Sequence, residues 1–99
     1  MYIPKEGQVF LMWDNSARRN VFKIITQVDT KEEPIMESVG FFKRRQPTGK
    51  FNTILKRVWY RVVGDHTGMQ YSSPSTAMYD WEKLISDADI LLHQAEKII

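Results

Sequence analysis

Phe51-Asn52-Thr53-Ile54-Leu55-Lys56-Arg57-Val58-Trp59-Tyr60-Arg61-Val62-Val63 carries two patterns that contradict each other. Phe51, Ile54, Leu55, Val58, Trp59 and Val62 recur at the spacing of one helix face. The residue types belong to a strand, because β-branched and aromatic side chains crowd residues 54–63 and suit a pleated surface. We read 54–63 as a strand. Gly64-Asp65-His66-Thr67-Gly68 then supplies a hairpin loop and residues 69–72 a short return strand. A helix over 50–63 is the alternative.

Working outward, residues 8–72 are rich in Val, Ile, Phe, Tyr and Trp, interrupted by turn chemistry. Residues 8–13 make a first strand, and Asp14-Asn15-Ser16 a turn. Over 20–29, Phe22, Ile24, Thr26 and Val28 alternate with Val21, Lys23, Ile25 and Gln27, so both faces are partly covered. Thr30-Lys31-Glu32-Glu33-Pro34 is a polar loop before a third strand over 35–45, with Gly40 as a bulge or close contact. Gln46-Pro47-Thr48-Gly49 suits a type I turn. Beyond Pro74 the period changes. Met78, Trp81, Leu84, Ile85, Ala88, Leu91, Leu92, Ala95 and Ile98 form one helical stripe. Ser75 or Thr76 can cap its start. Ser86-Asp87-Ala88-Asp89 resembles a capping box, so a helix over 77–98 is either continuous or broken near 86. The expected architecture is a single α+β domain over 1–99. Its small, curved antiparallel sheet has about five strands and is similar in outline to small SH3-like barrels, with the C-terminal helix packed on it.

A chain of 99 residues with 42% hydrophobic and 12% aromatic content folds around a real but thin core. It has no cysteine, which excludes disulfides, thiolate metal sites and a Cys nucleophile. No basic segment followed by an apolar one opens the chain. The longest apolar run, Val9-Phe10-Leu11-Met12-Trp13, is far too short to span a bilayer. A soluble, cytoplasmic protein without a membrane partner, and itself the whole gene product, is the expectation.

Charge is distributed unevenly. Residues 38–64 contain no acid and seven bases: Lys43, Arg44, Arg45, Lys50, Lys56, Arg57 and Arg61. The segment before it sums to −1 and the segment after it to −4, so a net charge of +2 conceals a basic centre between acidic ends. Such asymmetry suits nucleic acid or an acidic protein surface. A hairpin turning at 46–49 gathers Lys43, Arg44, Arg45 and Lys50 at one tip. Arg57 and Arg61 share a face at their four-residue spacing, and Lys56 and Tyr60 share another. On a strand, Trp59 sits between the two arginines, where a nucleobase can stack beside phosphate contacts. On a helix it belongs to the core. The plainer meaning of the same charges is protection of a sheet edge from pairing with other chains.

Signs of catalysis are weak. Asp65-His66-Thr67-Gly68 pairs an acid with a histidine in a loop, but a solvated turn explains it. His66 and His93 without cysteine make no recognisable metal site, and no phosphate-loop or nucleophile-elbow motif is present. No cofactor is expected. Asp80, Glu82, Asp87, Asp89 and Glu96 make an acidic helical face, a solvated surface or a dock for the basic centre of another copy. The function expected is therefore that of a small non-enzymatic binding protein engaging nucleic acid without sequence specificity. The alternative is a regulatory or inhibitory protein that binds a protein partner, such as a nucleic-acid-handling assembly.

Overall fold

Strand chemistry prevails over helical spacing in the central stretch. The computed structural model describes residues 2–40 and 44–98. Strands β1 (Val9–Asp14), β2 (Arg19–Val39) and β3 (Arg44–Val62) are followed by a 3-10 turn over Pro74–Met78 and helix α1 over Trp81–Ile98. The strands form one antiparallel sheet in the order β1-β2-β3.

The helical spacing has a physical origin. Ile25 pairs with Tyr60 but Gln27 with Trp59, so Thr26 is an extra residue on β2. Asp29 pairs with Arg57 but Thr30 with Leu55, so Lys56 is an extra residue on β3. Each bulge shifts the alternation of faces by one. Leu55 and Val58, three apart, both reach the core, as does Ile25 with half-buried Val28 packed against that core. A pure period of two forbids such pairs, and two bulges on facing strands permit them.

The core lies between one sheet face and α1. Phe10, Ile25, Leu55 and Val58 pack with Trp81 and Ile85. The Phe10 ring meets Trp81 edge-on at 4.8 Å and Tyr60 edge-on at 5.4 Å. The helix is continuous through residue 86. Its cap is Asp80, whose Oδ1 accepts the Lys83 amide proton at 3.2 Å. The expected caps, Ser75 and Thr76, lie instead within the 3-10 turn.

Among the described residues three strands form an open sheet, in place of about five and a barrel. The return strand expected over 69–72 reduces to a single bridge, Tyr60 with Tyr71. Thr76 covers the next part of the β3 edge. Its Oγ1 accepts the Val58 amide proton at 3.2 Å and donates to the Ser73 carbonyl at 2.6 Å. The Trp81 indole then donates to the Thr76 carbonyl at 2.7 Å. A side chain and a tight turn do here what a further strand does in a barrel.

The largest departure from expectation is the β2–β3 hairpin. Its strands are 21 and 19 residues long. Residues 30–34, expected as a loop, pair with residues 51–55. Pro34 is tolerated because this part of β2 is an edge, where a missing N–H leaves no ladder bond unmade. The expected turn at 46–49 is a bulge: Pro34 pairs with Phe51 and Met36 with Pro47, leaving Thr48, Gly49 and Lys50 opposite Ile35 alone. Gly49 takes φ +81° there. The chain reverses instead between Val39 and Arg44, which pair. The molecule spans 66 × 30 × 20 Å, and its radius of gyration is 18.5 Å. A compact chain of this length has about 13 Å. The distal hairpin, exposed on both faces, accounts for the difference.

Candidate nucleic-acid interface

Pairing and alternation place each candidate side chain. Phe10, Lys23 and Val62 are register partners on the face that α1 covers. Val9, Ile24 and Arg61 are partners on the opposite face. No bulge interrupts residues 57–61, so Arg57, Trp59 and Arg61 form one row on that outer face. The strand arrangement of Arg-x-Trp-x-Arg is therefore the one present, and the helical alternative, with Trp59 in the core, is excluded. Trp59 is half-buried and outside the core cluster.

The row has its own internal bonds. The Trp59 indole donates to Asp29 Oδ2 at 2.9 Å, and Gln27 Nε2 donates to Asp29 Oδ1 at 2.7 Å. The Arg57 guanidinium lies 5.5 Å from the Trp59 ring centroid. The Trp59 and Gln27 hydrogen bonds hold the Asp29 carboxyl below its ordinary value, with Arg57 and Lys56 adding to the effect. Asp29 thus locks the indole edge, while Arg57 covers one of its faces. A base can stack on the guanidinium layer or take its place.

The remaining bases are strung along β3. Arg45 is exposed opposite Ser38, and Lys50 is exposed in the Gly49 bulge. Arg44 is placed by its backbone, opposite Val39. Lys43 lies outside the described residues. Lys50 is not part of the tip, since the reversal comes earlier than 46–49. It stands about 10 Å down the ribbon at the usual rise per strand residue. Lys56 is the extra residue of its bulge and is exposed.

Tyr60 departs from expectation. It does not share an exposed face with Lys56 but points inward, against Phe10 and Tyr71. Burial raises its phenol pKa, with the Tyr79 and Tyr71 phenols adding to the effect. Tyr60 is therefore a wall of the core and not an outward stacking platform.

Two neighbouring features carry little chemistry. Asp65 accepts both the hydroxyl and the amide proton of Thr67, at 2.7 and 2.9 Å, which lowers its pKa. That is an Asx turn closed on itself, with His66 exposed beside it. Among the described residues no group of three His, Asp or Glu side chains is placed to hold a metal ion. No helix among them is long and apolar enough to cross a membrane.

Sequence reasoning overlooked Asp29 and Lys23. Asp29 gave no signal, because its partnership with Trp59 depends on the bulge register. Lys23 did give one: it alternates with Val21 and Ile25 on a single face, and that face is the buried one. Set against known protein families, curated proteins and solved structures, the chain matches none.

Proposed function

We propose that this protein is a small, non-enzymatic binding protein whose β3 strand engages nucleic acid through the phosphate backbone, without sequence specificity. One observation carries this reading: β3 holds six bases and no acid along its 19 residues. With the bulged residues not advancing the strand, the bases from Arg44 to Arg61 form a line about 45 Å long at about 3.3 Å per paired position. Charges are segregated across the ribbon. The distal part of β2, residues 29–39, carries Asp29, Glu32, Glu33 and Glu37, and its one cation, Lys31, is paired to Glu33 at 3.0 Å. A linear cationic edge suits an extended polyanion better than a small ligand. A two-stranded ribbon also fits a duplex major groove, which is about 12 Å wide. Arg45, Lys50, Lys56 and Arg61, with Lys43 and Arg44, would contact phosphates. Such contacts position a nucleic acid and do not read its bases. Trp59 with Arg57 supplies a stacking layer.

A second reading rests on a different observation. The outer sheet face carries Leu11, Phe22, Ile24 and Trp59, with Trp13 at 55% exposure, and no helix or strand among the described residues packs over it. An acidic protein surface meeting both this face and the β3 bases would make the chain a regulator or inhibitor. The acids exposed on α1, Glu82, Asp87 and Asp89, offer the same complement from another copy.

Pull-down of the tagged chain from lysate, with and without nuclease, separates the two readings. Nucleic acid that elutes with salt and disappears with nuclease supports the first. A single stoichiometric protein that survives nuclease contradicts it and supports the second.

A further inference from the structure

Lys23 is 6% exposed and lies on the core face of β2, between Phe10 and Val62. Among the described residues no carboxylate pairs with it, the single ion pair there being Lys31 with Glu33. Its ammonium sits 5.2 Å from the Tyr60 ring centroid. Its stem is buried, but its ammonium still reaches solvent, because among the described residues no side-chain nitrogen or oxygen is both sealed from water and without a hydrogen-bond partner. Lys23 lines a cleft of about 320 Å³ that also includes Asp14, Asn15, Tyr60, Tyr71 and Tyr79. The size is that of a small-ligand pocket.

We infer that this cleft binds a nucleoside monophosphate. The anion goes to the Lys23 ammonium, with which no carboxylate pairs among the described residues. The base goes to the tyrosines. Tyr71 stacks on Tyr60 at 6.1 Å and 29° yet is 42% exposed, and Tyr79 is 38% exposed. Aromatic rings half-open to solvent beside a cation that opens into the same cleft match a planar base carrying a phosphate. Asp14 fixes the polarity of the ligand. Its Oδ2 accepts the Ala17 amide proton at 3.0 Å, and its negative charge disfavours a second anion at that end. An exocyclic amine on the base suits the remaining acceptor capacity of Asp14. The site is independent of the β3 array: Tyr60 and Lys23 face the helix side of the sheet, and Arg57, Trp59 and Arg61 face the other.

The test is calorimetric titration of the full chain with AMP, GMP, CMP and UMP, with the matching nucleosides, and with inorganic phosphate. At least one nucleotide is expected to bind with a Kd below about 1 mM, and its nucleoside about tenfold more weakly. In Lys23→Met, which keeps the stem and removes the charge, that tenfold difference disappears. In Tyr71→Ala, nucleotide and nucleoside weaken together. The β3 variant Arg45→Ala/Lys50→Ala binds nucleotide as the wild type does, so failure of the ribbon reading leaves this result untouched. Equal affinity for nucleotide and nucleoside in the wild type overturns the proposal without need of any variant. So does inorganic phosphate binding as tightly as the best nucleotide, or no nucleotide binding at all.

Discussion

Replacing Thr76 by Val removes one hydroxyl and keeps the shape. Thr76 is 1% exposed, and its Oγ1 is the acceptor for the amide of Val58, itself fully buried on β3. That amide points away from β2, so no ladder partner replaces the lost acceptor. The Ser73 carbonyl suffers less, because it also accepts the Thr76 amide at 3.0 Å. The cost therefore concentrates on Val58, whose buried N–H loses its acceptor and whose carbonyl loses the same hydroxyl at 3.3 Å, at about 1–3 kcal/mol. A domain of this size loses about 4–8 °C in Tm per kcal/mol, so a fall of about 8–16 °C is expected at the middle of that range. Thr76→Ser keeps the hydroxyl and loses a methyl, at about 1 kcal/mol. Thermal melts followed by circular dichroism give the order wild type, then Thr76→Ser, then Thr76→Val. Amide exchange at Val58 accelerates selectively in Thr76→Val. A Thr76→Val protein as stable as Thr76→Ser would refute the idea that a side chain stands in for the missing strand.

Acid provides a second test. The Asp29 carboxyl is held below its ordinary 3.8 by Trp59 and Gln27, so its contribution is present above that value and is lost as pH falls through the lower folded-state pKa. The Tm gap between wild type and Asp29→Asn therefore narrows below about pH 4, and a gap constant down to about pH 2 contradicts the Trp59–Asp29 bond. Gly49→Val forces a β-branched residue into a left-handed conformation, at about 1–2 kcal/mol. Because the distal ribbon adds little to the core, amide exchange over 44–51 accelerates while the global Tm changes by less than about 3 °C; a large Tm loss argues against an independent ribbon. Self-association through α1 acids on β3 bases vanishes in about 0.5 M salt by light scattering, and a dimer that persists there must use the apolar sheet face.

The α+β composition, the C-terminal helix and the strand over 54–63 were legible because each rests on local chemistry: the Trp81–Ala88 stripe and the Val-Trp-Tyr cluster. Register was not. Thr30 to Pro34 is polar on every side, and a ribbon bare on both faces has no apolar pattern to announce it. Gln46-Pro47-Thr48-Gly49 has turn chemistry, but pairing on both sides turns it into a bulge. The barrel failed because single residues, Thr76 and Tyr71, close the β3 edge, leaving no strand-length signal. The acid-free basic segment is a fact of the sequence itself, while its shape, a line rather than a cluster, follows from the register of β2 against β3. Lys23 was visible as the one charge in an apolar row.

The salt dependence of binding to labelled oligonucleotides, followed by anisotropy, tests the β3 array most directly. Six phosphate contacts predict that log Kobs falls against log[salt] with a slope of about −5 for duplex DNA. Arg45, Lys50 and Lys56 are all exposed, so replacing the three by Ala leaves the core intact. The slope should become shallower by about 3, and affinity should weaken equally for unrelated sequences. An unchanged slope, or a loss confined to one sequence, would contradict a phosphate-binding strand.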